Sequence, residues 1–455
     1  MNQRHSAFHR LVGPLDRSLT NLSANTLTSL EVARLRWFWL DSLFANLSGA
    51  FFGSFVPLFA QAYGATNAQI GTMTGVASLL AMLSLLPGAQ ATQAAGTHRK
   101  QLIVLFGGVI ARVVLLIWVF MPFTAITPSA AITTIIAVNA LMAFCNSFAN
   151  PAWTALVADI VPTNIRGRFF SHRNFAVNLP ALLVVPLAGW LISVGNRPGL
   201  PLGGYQLVIG LGFLSGAVAT FSFSRINDPL PASRAAERRP WREVARVVGT
   251  APSFMGLVAC TLIWNLGMQL TSPFLNLYLV TDLGGTTAMV GWVAASSSLT
   301  ALLAQRWLGA WIDRRGNIFV QGLLSFLIVT LPFAWLFASA AWQIIIVNAF
   351  GGVMWAAYNL ASFNLLLELA PEKARAEAVA VFQLVIFLCA TLVPIAGGHI
   401  ADAWGYRPLL VISAALRLLG AFAFVWWVAL PARRRRLAAS EPVEPEAQPP
   451  ATGAA

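Results

Sequence analysis

Eight amide, indole and hydroxyl side chains recur at one spacing on two stretches of an otherwise apolar chain. Asn139, Asn146, Asn150 and Trp153 stand at intervals of seven, four and three residues, and Asn348, Trp355, Asn359 and Ser362 repeat those intervals. On a helix, such steps bring all members to one face. An amide donates and accepts hydrogen bonds and an indole adds a flat apolar surface, so these stripes suit contact with a neutral or weakly charged, partly apolar small molecule. Amides also join neighbouring helices inside a membrane, and for any single Asn the two roles stand level. Asp41 is the one carboxylate in the apolar run after Trp37. There it is a candidate to take up and release a proton, or equally to pair with Arg34 or Arg36 near the interface.

The elements that carry these residues are membrane helices. Of the chain, 57% is hydrophobic and only 10% charged, against about 25% charged in soluble domains. The apolar runs reach about 20 residues, enough to cross roughly 30 Å of hydrocarbon, and lack the alternation of barrel strands. Twelve helices are predicted, near 37 to 62, 68 to 92, 102 to 122, 130 to 159, 174 to 194, 205 to 224, 252 to 280, 288 to 312, 318 to 338, 341 to 369, 376 to 400 and 408 to 430.

The second six repeat the first. Val138-Asn139-Ala140 returns as Val347-Asn348-Ala349, Asp159 as Glu368, Pro162 with Arg166 as Pro371 with Arg375, and Val185-Pro186-Leu187-Ala188-Gly189 as Val393-Pro394-Ile395-Ala396-Gly397. The expected fold is therefore an all-α membrane protein of twelve transmembrane helices in two pseudo-symmetric six-helix bundles, residues 37–224 and 251–430. Duplicated halves of this kind suit a carrier of solutes. Residues 1–36 form a polar N-terminal segment without a signal-peptide core, 225–250 a basic linker and 431–455 a tail too poor in apolar residues to fold. Within the linker, Trp241, Val244 and Val247 beside Arg242 and Arg246 suit either a short surface helix or a solvated loop.

A net charge of +13 would point to nucleic acid if the cations formed one soluble patch. Instead, with the N-terminus in the cytoplasm, nearly all the loop Arg and Lys fall on that side, and only Arg197 and Arg407 outside. This is the positive-inside pattern, and it places both termini in the cytoplasm of a cell-membrane protein. Cys145, Cys260 and Cys389 have no close partner, so neither a disulfide framework nor a metal site is expected.

Between the eighth and ninth helices stands Gly309-Ala310-Trp311-Ile312-Asp313-Arg314-Arg315-Gly316-Asn317. This closely resembles the loop signature of the major facilitator superfamily: Gly, three residues, Asp, Arg or Lys, one residue, Gly. In such a loop Gly309 would allow close helix packing and Gly316 a tight turn. Asp313 would sit at the start of the eleventh helix and Arg314 or Arg315 would pair with Glu368. With Asp159, Arg166 and Arg375 these residues would close the cytoplasmic side. The first half departs from the pattern, with Thr92 where the Asp should stand.

The resemblance further implies that the first, fourth, seventh and tenth helices line a central cavity. Its candidate lining is Asn46, Asn146, Asn150, Trp153, Trp264, Asn265, Gln269, Trp355 and Asn359, with Asp41 as the candidate proton-coupling group. Arg112 and Arg417 lie at mid-membrane on helices that are peripheral in the family, which favours structural or lipid-contact roles. Pro57, Pro273, Pro180, Pro186 and Pro394 should kink their helices. No phosphate loop, metal-binding His pair or nucleophile triad is present, so no enzyme and no cofactor are expected. The resemblance implies a secondary transporter for a small solute, expected as a monomer; without an ATP site it would run on an ion gradient or the solute's own gradient, with protons through Asp41 the candidate coupling. Proton-coupled export of an amphipathic compound is favoured over uptake of a sugar-like or other polar metabolite, and over a receptor or lipid-moving protein on the same scaffold.

Overall fold

The structure, a computed structural model, describes residues 29–124, 126–161, 166–226, 246 and 249–434. The predicted linker helix, Pro162 and the distal tail lie outside those residues. Among the described residues, twelve helical segments make up the two halves. The first six are α1 (Ser29–Phe52, continued by Gly53–Phe55 and Val56–Ala62), α2 (Asn67–Ala95), α3 (Arg99–Leu102, Ile103–Ile110 and Ala111–Phe120), α4 (Pro128–Ile160), α5 (Arg166–Gly195) and α6 (Gly203–Ser224). The second six are α7 (Pro252–Thr271 and Leu275–Thr281), α8 (Thr287–Arg315), α9 (Asn317–Phe337), α10 (Ala341–Leu369), α11 (Arg375–Trp404) and α12 (Tyr406–Phe424, continued by Val425–Ala429). Eleven are long and apolar enough to cross a membrane, and α5 carries the shorter apolar stretch Leu182–Gly195.

The helices begin and end within a few residues of the predicted runs, except that α1 and α5 start earlier. α1 extends to Ser29 because Glu31 suits a helix N-terminus and Arg34 and Arg36 can reach the interface along their stems. The prolines behave unequally. α1 tightens into a 3₁₀ turn at Gly53–Phe55 just before Pro57, and α7 breaks at residues 272–274 around Pro273. Each Pro removes the N–H that would have continued the helix. The two interruptions fall at matching places in the two halves. Pro186 and Pro394 remain inside unbroken helices.

The halves are joined at one end. The largest apolar cluster mixes Phe52, Phe59 and Trp118 of the first half with Phe274, Tyr278 and Trp335 of the second. Three smaller clusters each belong to a single half, including those of Leu35, Phe38 and Phe169 and of Phe254, Leu257 and Phe382 near the arginine-bearing end. Glycines bring backbones together across the join. A Cβ on Gly71 would lie 2.1 Å from the Pro394 carbonyl oxygen, and one on Gly291 would lie 2.4 Å from Pro186 Cα.

Close packing within a half follows the same rule, but not where the loop signature suggested. A Cβ on Gly309 would meet no atom within 4 Å, so this glycine does not admit a neighbouring helix. Gly88, on α2, does: a Cβ there would stand 2.3 Å from the Phe148 carbonyl oxygen of α4. Gly88→Ala is therefore expected to destabilise the fold by about 1–3 kcal/mol through overpacking, whereas Gly309→Ala should be neutral or gain up to ~1 kcal/mol of helix propensity. Thermal unfolding of the purified variants checks the contrast, and equal melting temperatures would refute it.

Candidate functional site

Asp41 lines a cavity of about 240 Å³ inside the first half, enclosed by α1, α3, α4 and α6. From α4 come Asn146, Asn150 and Trp153, three of the four members of the predicted stripe. Arg112 of α3 also lines it, so this side chain lies inside the bundle and not against lipid. The π-helical stretch Ile103–Ile110 brings Gly107 and Gly108 to the wall of this cavity. Its wider winding and missing side chains leave room beside the carboxylate.

The electrostatics centre on Asp41, which is 9% exposed and lies in the fields of Arg112 and Arg173. Arg173, of α5, donates from Nε to Ser42 Oγ at 2.7 Å. Its guanidinium also lies over the rings of Phe38 and Trp153, 5.2 and 5.8 Å from their centroids. One carboxylate thus lies within the influence of two cations in a mostly apolar setting, where charges act over longer reach than in water.

The amides bear on the choice between lining a cavity and joining helices. Asn146 Nδ2 donates to Met142 O at 2.9 Å, Asn265 Nδ2 to Thr261 O at 2.9 Å and Asn348 Nδ2 to Ile344 O at 3.1 Å, each within its own helix. Asn150 accepts from Thr154 Oγ1 at 3.5 Å. None of these four bonds leaves its helix, and Asn146 and Asn150 remain exposed.

The second half is less open. Trp264 is buried and stacked on Tyr358 with centroids 5.3 Å apart, while Trp355 meets the same Tyr358 edge-on at 5.6 Å. Asn46, Asn265 and Gln269 are half-buried and stand apart from the Asp41 cavity, and Asn359 is exposed. A second cavity of about 240 Å³ opens between α5 and α8, bounded by Asn178, Ser298 and Gln305. Arg417 is held within the bundle, donating from Nη2 to Thr271 Oγ1 at 3.1 Å, beside Ser413, whose Oγ donates to Gly267 O at 2.6 Å.

At the arginine-bearing end each half ties a helical hairpin to the last turn of its fourth helix. In the first half Arg99 Nη1 meets Asp159 Oδ2 at 2.9 Å, and Lys100 Nζ donates to Ser224 O and Ile226 O at the end of α6. In the second half Glu368 accepts from Asn317 Nδ2 at 3.1 Å, and Asn364 Nδ2 donates to Asn317 Oδ1 at 3.3 Å. The expected pairing of Arg314 or Arg315 with Glu368 is thus replaced. α8 continues to Arg315, so both arginines lie exposed on its final turn, and Asn317, opening α9, meets α10. Gly316 makes the tight turn at φ +84°. Asp313 and Arg375 are exposed, and the side chain of Arg166 is outside the described residues. Thr92, in place of the first-half Asp, donates back to Gly88 O at 2.7 Å.

The opposite end holds polar contacts between the halves that the sequence did not reveal. Asp402 of α11 accepts from the backbone N–H groups of Asn67 and Ala68 at 2.9 and 2.8 Å, capping α2 of the other half. Tyr406 donates its hydroxyl to Asn67 Oδ1 at 2.6 Å. Thr287 Oγ1 donates to Gly189 O at 2.8 Å, and Asn276 Nδ2 to Ser54 O at 3.2 Å. Among the described residues, these are the hydrogen bonds that join the halves. The Thr66-Asn67-Ala68-Gln69 capping box was a readable helix start, but its distant carboxylate partner was not.

Comparison with known proteins agrees with this geometry. The model of the Major Facilitator Superfamily matches twice, over residues 38–278 and 257–453. The chain belongs to that superfamily, and it is an integral, multi-pass secondary transporter. A multi-drug resistance efflux pump PmrA homolog of Lactococcus lactis is 23% identical over 82% of this chain and 89% of its own length. The crystal structure of the nucleoside transporter NupG superposes with a TM-score of 0.63 at 15% identity, covering 88% of this chain and 99% of that one. A bacterial homolog of the human lysosomal transporter Spinster, solved inward-facing and unoccupied, gives 0.65 at 14% identity over 88% and 97%. At such identities the structures share the fold.

The Asp402 cap concentrates a full negative charge on a helix N-terminus through two charge-assisted bonds. Asp402→Ala should let the halves part more often at this end. A cysteine at Ser54, in a background lacking Cys145, Cys260 and Cys389, should then react with a soluble maleimide about tenfold faster. An unchanged rate would remove Asp402 from this role.

Proposed function

We propose that the chain exports a small amphipathic solute across the cytoplasmic membrane by alternating access, coupled to protons through Asp41. The observation that carries this reading is the Asp41 cavity, where one carboxylate, the Arg112 guanidinium, amides of α4 and Trp153 surround space of small-molecule size, with Arg173 near enough to act on the carboxylate. A proton on Asp41 would change the charge beside Arg112 and Arg173, and with it the affinity for a solute touching Asn146, Asn150 and Trp153. That is the differential binding a coupled carrier requires.

The end closed by Asp402 is the outer one in this reading, with the arginine-rich loops and both termini in the cytoplasm. The Arg99–Asp159 pair and the Asn317–Glu368 bond then brace the inner ends of the two halves. We assign Gly316, Asp313, Arg314, Arg166 and Arg375 to the surfaces that meet when this side closes. Gly309 precedes them without a packing role. The remaining candidate residues, Asn46, Trp264, Asn265, Gln269, Trp355 and Asn359, line the path once the halves move. The efflux-pump relative supports export.

Proteoliposomes loaded with ethidium and given a pH gradient provide the test. Wild-type protein should move the dye against its own gradient while the proton gradient lasts. Asp41→Asn should retain only downhill movement, with a response to the pH gradient reduced at least about tenfold. A normal response from Asp41→Asn would end the assignment, and movement in the uptake direction would favour import.

A further inference from the structure

α12 closes in a π-helical turn, Val425–Ala429, and beside α9 this turn borders a groove of about 420 Å³. Ile318, Phe319, Leu323 and Phe326 of α9 face Val425 and Ala429 of α12 along it. From Ile318 to Phe326 the groove descends about 12 Å at the rise of a helix, and Phe326 packs edge-on against Phe422 at 5.2 Å. At its arginine-bearing end stand Arg315 and Arg433, both exposed, and no acidic residue lines it. Both walls belong to the second half, and the groove opens on its outer surface, where Phe319 is 51% exposed.

We propose that this groove holds one anionic phospholipid, its phosphate between Arg315 and Arg433 and an acyl chain along Phe319 and Phe326. The charge pattern selects the occupant. Two cations above an apolar trough match an amphiphile with a net negative head, whereas a zwitterionic head would bring its own cation against them. The π-helical turn serves the site by widening α12 where the chain enters. A larger groove of about 700 Å³ on the other flank of α12, lined by Trp426, Trp427 and the single Arg434, lacks the paired cations and provides the internal comparison. Lipid seated between α9 and α12 requires only that these helices span a bilayer, so its retention is independent of the solute carried.

Native mass spectrometry of the purified full chain, offered equal amounts of dioleoyl-phosphatidylglycerol and dioleoyl-phosphatidylcholine, tests the site. The expected preference for phosphatidylglycerol is on the order of tenfold, falling to near equality in the Arg315→Gln, Arg433→Gln double variant. Gly322→Leu alters no charge and fills the trough, where a Cβ meets only the Phe424 ring at 3.5 and 3.7 Å; it should lower retention of the lipid. Arg434→Gln should keep the full preference. Equal retention of the two lipids by the wild type, an undiminished preference in the double variant, unchanged retention in Gly322→Leu, or an equal loss in Arg434→Gln would each overturn the proposal.

Discussion

The contact on which the architecture turns is the carboxylate of Asp402 against the first backbone N–H groups of α2. Within hydrocarbon the N–H groups of a helix are taken up inside that helix, so main-chain donors are free for another bundle only at a helix N-terminus. Here one bundle supplies the acceptor and the other the unpaired donors. Glycines at positions 71 and 398 let α2 and α11 approach backbone to backbone beneath that cap, and Gly189 and Gly291 do the same for α5 and α8. The join is therefore polar and narrow at its rim and apolar below, where Phe59, Phe274 and Tyr278 share one cluster.

Away from the join, each half stands on its own apolar clusters and its own brace. Arg99 with Asp159 and Asn317 with Glu368 occupy corresponding places but differ in kind, one an ion pair and the other an amide bond. Ion pairs near a membrane surface respond to salt and water more than amide bonds do. The asymmetry that the sequence displays at Thr92 thus reappears, with the charge in the first half carried by Arg99.

Much of this was legible from residues alone, and the failures share a cause. The spans were readable because apolar runs report the bilayer directly, and the breaks at Pro57 and Pro273 because a missing N–H acts locally. The α4 stripe was readable from spacing, and three of its members meet in one cavity. The lipid-contact reading of Arg112 failed because the direction a side chain takes from its helix depends on how neighbouring helices dock. Gly309 was misjudged because a glycine reveals tolerance for close approach but not what approaches. Asp402, with His399 near the outer end of α11, read only as an interface residue because its partners are backbone groups, which carry no residue identity, and Arg173 went unremarked because it was one cation among many on the same side.

The central claim is that the two bundles exchange between opposite openings around the Asp41 cavity. The direct measurement is a pair of spin-label distances across the halves in a bilayer, one between labels at Ala62 and Trp404 near the Asp402 cap, the other between labels at Ala94 and Ala310 near the arginine-bearing end. The account predicts two populations in each, with the first distance short whenever the second is long, and the balance shifted by solute or pH. Single, fixed distances at both ends, or distances that lengthen and shorten together, would contradict it.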